Sequence, residues 1–120
     1  MTTIRRFEDL KSWQAARKLV NAVYDLTQTD PFVRDFRLRD QIQGAAGSTM
    51  HNIAEGFDAG SDAEFIRFLK YARRSASEVQ SQLYLALDRR YITPEQFEAI
   101  YDQATQYKKL VNAFIGYLVK

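Results

Sequence analysis

The sequence predicts an all-α protein, an up-down-up-down antiparallel four-helix bundle that forms a single domain over residues 1–120. Three observations predict this fold. Apolar residues recur every three or four positions in four long segments, and almost no run alternates apolar with polar residues as a half-buried strand would. The chain has only two prolines and five glycines, and both prolines lie between the periodic segments. Short connections then force consecutive helices to run antiparallel.

The first two helices are predicted at about residues 9–28 and 33–57. Pro31 separates them, because the residue before a proline is disfavoured in the helical conformation. The apolar positions of the first helix share one face, and they are Leu10, Trp13, Ala16, Val20 and Val23. The core face of the second helix is predicted to consist of Leu38, Ile42, Ala45, Thr49 and Ile53.

The last two helices are predicted at about residues 62–90 and 94–119. Each follows a capping box, in which a Ser or Thr side chain accepts from the backbone three residues later and the side chain there bonds back. Ser61 and Glu64 form the first box, and Thr93 and Gln96 form the second. The predicted core faces consist of Phe65, Phe68, Leu69, Ala72, Val79, Leu83 and Ala86, followed by Phe97, Ile100, Ala104, Tyr107, Val111, Phe114 and Leu118.

The composition excludes several classes of protein. Hydrophobic residues make up 46% of the chain and charged residues 27%, which is typical of a folded protein and excludes a disordered one. The absence of cysteine excludes disulfides and thiolate chemistry and fits a reducing compartment. No apolar run approaches the roughly 20 residues of a membrane span, and the N-terminus lacks the apolar segment of a secretory signal. We therefore expect a cytoplasmic protein with no membrane partner.

The sequence offers few residues for catalysis or metal binding. His51 is the only histidine, and Glu55 lies four residues after it, but two ligands make a poor metal site. The Glu-x-x-His pairs of di-iron bundles are absent. The glycines at 56 and 60 are not followed by the lysine of a phosphate-binding loop. We predict no catalytic residue, no metal and no cofactor, and we expect that the protein is not an enzyme.

Two lines of polar residues run beside the predicted core faces of the second and third helices. The first line consists of Gln41, Ser48, Asn52 and Glu55, and the second of Tyr71, Ser75, Glu78 and Gln82. Polar side chains beside a core are expected to hydrogen-bond between helices or between subunits; the alternative is a solvated flank. The small residues at 44–48 would let another backbone approach closely. We predict a hairpin and assembly interface here, with Gly56 as the stop at the end of the second helix.

The distribution of basic residues matters more than the net charge of +2, which is too small to predict nucleic-acid binding by itself. Basic residues cluster on the outer side of the third helix, at Arg67, Lys70, Arg73 and Arg74. One interpretation is a weak phosphate-binding stripe that strengthens when several copies are arrayed in an oligomer. The other is an ordinary solvated face, because acidic residues are interleaved with the basic ones along the chain.

Several motifs follow one another in a specific order. They include Ser48-x-x-x-Asn52-Ile-Ala-Glu-Gly56, then Ser61-x-x-Glu64-Phe65, and then Ser75-x-x-Glu78-x-x-x-Gln82-Leu83. In this order and spacing the chain resembles the four-helix bundle proteins encoded in 23S rRNA intervening sequences, also called the S23 ribosomal protein family. The resemblance covers nearly the whole chain and is strongest over residues 38–83.

The resemblance implies a bundle that assembles as a homopentamer and has no known enzymatic activity. A more distant similarity is to the accessory variability determinant of diversity-generating retroelements, a basic pentamer that partners a reverse transcriptase and nucleic acid. The chain departs from the family pattern in two places. Gln43 and Gly44 follow Ile42 where family members often carry two arginines, and Arg74 stands where glycine is common.

Two functions of different classes are therefore expected. The first is a self-assembling scaffold that contacts RNA or DNA weakly through arrayed basic residues. The second is a protein–protein adaptor with no nucleic-acid contact, whose partner binds exposed aromatic residues. More aromatic residues are present than one small core needs, namely Tyr24, Phe32, Phe36, Tyr84, Tyr91 and Tyr101.

Overall fold

The computed structural model describes residues 4–119 and contains four long helices. They are α1 (Lys11–Thr27), α2 (Phe36–Phe57), α3 (Asp62–Asp88) and α4 (Pro94–Leu118). Within the described residues there is no strand, and the predicted all-α four-helix bundle is confirmed. None of these helices is both long enough and apolar enough to span a membrane.

The four helices pack in a ring. Each helix contacts its neighbours in sequence, and α1 closes the ring against α4. The result is an elongated body of 47 × 22 × 19 Å. Because the connections are short, sequence neighbours run antiparallel, and one end of the bundle collects the C-terminal halves of α1 and α3 with the N-terminal halves of α2 and α4.

The core consists of two apolar clusters, one toward each end of the bundle. One includes Leu19, Phe32, Ile42, Val79, Leu83 and Ile100, and the other includes Trp13, Ile53, Phe65, Leu69, Tyr107 and Val111. Tyr107 is fully buried, and its hydroxyl donates a hydrogen bond of 2.8 Å to the backbone oxygen of Thr49. Burial raises the pKa of Tyr107, so this phenol remains a protonated donor.

The second helix begins three residues later than the sequence predicts. Residues Phe32–Arg34 form a separate 3-10 turn, and Asp35 caps α2 by accepting a 3.1 Å hydrogen bond from the Leu38 N–H. Phe32 is completely buried, which fixes this turn against the core. The first helix likewise begins at Lys11, because Phe7–Asp9 form a 3-10 turn before it.

The two predicted capping boxes form to different extents. At α4, Thr93 accepts from the Gln96 N–H and the Gln96 side chain accepts from the Thr93 N–H, so both halves of the box are present. At α3, Ser61 accepts from the Glu64 N–H at 3.2 Å. The Glu64 carboxylate does not return to the Ser61 backbone, because it binds Arg67 instead.

The corner between α2 and α3 depends on Gly56, but for a different reason from the one predicted. Gly56 does not stop the helix; it lies in the last turn of α2, which continues to Phe57. A Cβ atom at Gly56 would lie 2.8 Å from Cβ of Phe68 and 2.9 Å from Cδ1 of Phe65, so the absence of a side chain lets the two helices approach. The left-handed backbone conformation belongs to Gly60, with φ of +91°.

Candidate nucleic-acid interface

Three of the four predicted nucleic-acid-binding residues line one groove between α3 and α4. Lys70, Arg73 and Arg74 come from α3, and Lys108 faces them from α4. Ser77 and Asn112 complete the lining, and the volume of the groove is about 460 Å³. We call this set of six residues the basic groove. Its four cations come from two helices, so the charge is concentrated along a seam of the bundle.

Three hydrogen bonds across the seam hold two of the four cations in place. Arg73 Nη1 donates to Asn112 Oδ1 at 2.7 Å, which joins α3 to α4. Lys108 Nζ donates to Gln80 Oε1 at 2.8 Å and to Ser77 Oγ at 3.2 Å. These bonds leave further N–H groups on both cations, because a guanidinium has five donors and an ammonium has three. The groove is therefore partly preorganised and can still donate to an anion.

Gln80 anchors this arrangement from inside the bundle. Its side chain is only 6% exposed, and its Nε2 donates to Thr105 Oγ1 at 3.0 Å and to the Tyr101 backbone oxygen at 3.2 Å. With Lys108 bound to the other end of the amide, each polar atom of the buried Gln80 side chain has a partner. A satisfied buried amide is rigid, because each lost bond would leave a desolvated polar group.

The charge of the basic groove is not compensated by acidic residues. No carboxylate lines it, and within residues 4–119 none of its four cations lies in a salt bridge. Elsewhere on the surface, Arg6, Arg34 and Arg39 each have a carboxylate partner. An uncompensated set of cations attracts phosphate, and the attraction weakens as salt increases.

Arg67 does not belong to the groove. Its guanidinium makes a bidentate pair with Glu64, at 2.8 and 3.0 Å, and donates to the Tyr71 hydroxyl at 3.1 Å. The hydrogen bond from Arg67 lowers the pKa of the Glu64 carboxyl, and the same bond raises the pKa of Arg67. The structure therefore brings Lys70, Arg73 and Arg74 together with Lys108 and leaves Arg67 outside this group.

The sequence did not single out Lys108 and Asn112, because they lie on another helix, more than 30 residues from Arg73. A signal for them exists. Thr105, Lys108 and Asn112 follow each other at helical spacing beside the core stripe of α4, as Arg73, Ser77 and Gln80 do on α3. Two polar lines that flank the facing sides of antiparallel helices indicate a polar seam.

The predicted assembly line on α2 and α3 makes no hydrogen bond between these helices in the described residues. Asn52 donates to the backbone oxygen of Ser48 within α2. Ser75 is buried, whereas Gln41, Glu55 and Glu78 are exposed. Gln82 has a buried Oε1 with no hydrogen-bond partner. The expected hydrogen bonds across the hairpin are thus absent, and a contact with another subunit remains a prediction.

Gly44 and Gly47 do not produce a close approach of helices within the protomer. A Cβ at Gly44 would meet nothing within 4 Å, and a Cβ at Gly47 would meet only the His51 ring, at 3.7 Å. His51 is exposed on the same helix. Within residues 4–119 no group of three or more His, Asp or Glu side chains is placed to hold a metal ion.

The aromatic residues expected to be exposed divide into two groups. Phe36, Tyr84 and Tyr24 are 63%, 51% and 40% exposed. Phe32 is part of the core, and Tyr91 packs against it with ring centroids 5.2 Å apart. The hydroxyl of Tyr91 also donates to Asp35 at 2.9 Å. Phe32 and Tyr91 are therefore structural residues at one end of the bundle, not an adaptor surface.

Comparison with known proteins agrees with the fold and identifies the family. The 23S rRNA-intervening sequence protein family matches residues 8–113. A solved crystal structure from Bacteroides thetaiotaomicron, described as a protein with unknown function from the S23 ribosomal protein family, is 33% identical. The match covers 88% of this chain and 94% of that chain with a TM-score of 0.74. No curated protein matches the chain. The chain belongs to the family of 23S rRNA-intervening sequence proteins.

Proposed function

We propose that this protein is a non-enzymatic, cytoplasmic, self-assembling bundle that contacts the phosphates of RNA or DNA weakly through the basic groove. The observation that carries the proposal is the set of four cations on one seam with no carboxylate among them. Phosphate contacts of this kind give affinity without sequence specificity. The family name supports a connection with RNA, although it does not say what the protein binds.

Self-assembly is the second part of the proposal. One groove offers at most four phosphate contacts, which supports only weak binding at physiological salt. Several copies of the groove on one assembly would act together, because each further contact becomes intramolecular once the first has formed. We propose a homopentamer, as the family resemblance implies, and the exposed Gly44 on α2 offers a surface on which another chain could approach closely.

Binding to nucleic acid is tested by fluorescence anisotropy with a labelled single-stranded RNA and a labelled DNA duplex over a range of salt concentrations. We expect the logarithm of the association constant to fall linearly with the logarithm of the salt concentration. Replacing Lys70 and Arg74 together by glutamine should reduce the slope by about two, since about one counterion is released for each phosphate contact. Both side chains are exposed, so the double variant should fold.

The matched control replaces Arg17 and Lys18 by glutamine, because these two exposed residues of α1 carry the same charge but lie outside the basic groove. The control should keep the wild-type slope. Equal losses in both double variants would show that net charge alone is responsible and would contradict the groove. No binding at low salt by the assembled wild-type protein would refute the nucleic-acid contact altogether.

The assembly is tested separately by light scattering coupled to size exclusion. A pentamer should have a mass near five times the 13.9 kDa of one chain. A single species with the mass of one chain at working concentration would refute self-assembly. This measurement is independent of nucleic-acid binding, so the two parts of the proposal can fail separately.

A further inference from the structure

A second cleft lies on the same pair of helices, and its chemistry is opposite to that of the basic groove. The ring centroid of Tyr84 on α3 lies 4.8 Å from that of Phe97 and 5.9 Å from that of Tyr101, both on α4. The Phe97 and Tyr101 centroids are 5.3 Å apart. Glu98, Asp102 and Thr105 complete a cleft of about 480 Å³. We call these six residues the aromatic–acidic cleft. Tyr84 is 51% exposed, so this ring cluster is open to solvent.

The two carboxylates of the cleft have no cationic partner. Glu98 and Asp102 are four residues apart on α4, which places them one above the other on one side of the helix. In the part of the chain that the structure describes, neither carboxylate lies in a salt bridge, and no lysine or arginine lines the cleft. Both charged residues that line the cleft are therefore acidic, and they lie next to an apolar surface.

Some other rings of this protein have an arginine of the same chain over one face. The guanidinium of Arg39 lies 4.9 Å from the ring centroid of Phe36, and that of Arg74 lies 5.4 Å from Tyr71. The buried Trp13 also has Arg17 over its ring, at 5.9 Å. Among the described residues, no cation lies over Tyr84 or the two rings that pack against it. This ring cluster differs from those three rings in that the charged residues lining its cleft are carboxylates.

We propose that the aromatic–acidic cleft binds an arginine side chain from an extended, arginine-containing segment of a partner protein. A planar guanidinium stacks on an aromatic face and pairs with a carboxylate at the same time, which an ammonium does less well. Glu98 and Asp102 supply the carboxylates, and Tyr84 supplies the exposed ring. The same carboxylates repel a nucleic-acid backbone, so the site is distinct from the basic groove and does not depend on the proposed contact with RNA or DNA.

The probe for this site is a hexa-arginine peptide, titrated into the full chain at fixed moderate ionic strength. Isothermal calorimetry measures the affinity, and NMR follows the ring signals of Tyr84, Phe97 and Tyr101. We expect weak saturable binding that shifts these ring signals. A hexa-citrulline peptide, which has the same shape without the charge, should not bind. Hexa-lysine should bind about two- to fivefold more weakly than hexa-arginine.

Two variants and one control decide whether binding occurs in the cleft. The double variant Glu98→Gln, Asp102→Asn is nearly isosteric at exposed positions, so it should fold normally and weaken hexa-arginine binding about fivefold or more. Tyr84→Ala should weaken it about two- to fivefold. The control Asp58→Asn, Asp62→Asn removes the same charge from exposed positions at the α2–α3 corner and should have less than a twofold effect.

Three results would overturn the proposal. The first is no saturable binding of hexa-arginine to the wild-type chain. The second is an equal loss of affinity in the cleft variant and in the control at the α2–α3 corner, which would indicate attraction by net charge alone. The third is full competition by spermidine at equal charge concentration, which would indicate a site for free polyamines. Loss of nucleic-acid binding in the Lys70 and Arg74 variant would leave hexa-arginine binding in the cleft unchanged, so the two proposals can fail separately.

Discussion

Replacing Gly56 by alanine tests whether the α2–α3 corner is set by close packing or by a helix stop. A Cβ at this position would lie 2.8 Å from Cβ of Phe68. That atom is attached directly to the backbone of α3, so the clash is relieved only by moving the helix. Overpacking of this kind costs about 1–3 kcal/mol. Alanine regains about 1 kcal/mol of helix propensity, so we expect a net loss of about 1 kcal/mol in the free energy of unfolding.

Gly44 provides the matched control, because it is also in α2 but a Cβ there would meet nothing within 4 Å. Gly44→Ala should therefore gain up to about 1 kcal/mol. The two variants should differ by about 2 kcal/mol. Unfolding entropy near the midpoint is about 2.1 cal/mol/K per residue, or about 0.25 kcal/mol/K for this chain, so the difference in Tm should be about 8 °C.

Differential scanning calorimetry at one protein concentration measures both midpoints, and urea titration gives the free energies. If Gly56→Ala were as stable as Gly44→Ala, the close approach of Phe68 would not restrict this corner and the reasoning would be refuted. If Gly44→Ala lost stability at high protein concentration only, an approaching second chain at α2 would be indicated, which the proposed assembly predicts.

Two further predictions concern the ends of helices. The double variant Thr93→Ala, Gln96→Ala removes both bonds of a complete capping box and should cost about 1–2 kcal/mol in urea unfolding; Ser61→Ala removes one bond and should cost less, so equal losses would contradict the structure. Asp35 caps α2 and accepts from Tyr91, and these bonds lower its folded pKa. Since the unfolded value is higher, this stabilisation is complete above about pH 4 and is lost as pH falls through the folded pKa. The Tm difference between wild type and Asp35→Asn should therefore shrink on acidification. A difference that grows on acidification would mean that folding raises the pKa of Asp35 instead of lowering it.

The helices were predictable because apolar residues spaced three and four positions apart are the residues that a packed helix buries. Trp13, Ile42, Leu83 and Val111 were placed in the core by their spacing, and all four are buried. The capping residues Ser61 and Thr93 were also predictable, because each side chain bonds to a backbone N–H only three residues later. Local rules are sufficient where the partners are local.

The features that the sequence did not predict depend on partners far along the chain or on a choice between partners. The 3-10 turn before α2 is held by Phe32, which packs against Tyr91, a residue almost 60 positions away. Glu64 had two partners within reach, and the strong bidentate bond to Arg67 prevailed over the weaker bond to a backbone amide. That choice removed Arg67 from the predicted stripe.

The buried amide of Gln80 connects the basic groove to the rest of the bundle. Replacing Gln80 tests how much the positioning of Lys108 contributes to anion binding, because the charge of the groove stays the same. Gln80→Met keeps the side-chain volume and removes the shorter of the two bonds that hold Lys108, leaving the 3.2 Å bond to Ser77. Thr105 still donates to the Tyr101 backbone oxygen, so no hydroxyl donor is left without an acceptor. The groove keeps all four cations, but Lys108 must then be ordered when phosphate binds, at a cost of about 0.5–1 kcal/mol.

We therefore expect Gln80→Met to weaken nucleic-acid binding about two- to fivefold at each salt concentration and to leave the salt slope unchanged. The Lys70 and Arg74 double variant should instead lower the slope itself. A slope that falls in Gln80→Met would mean that Lys108 contacts phosphate only when Gln80 positions it. An affinity equal to wild type would mean that the seam holds the helices together without preparing the groove for an anion.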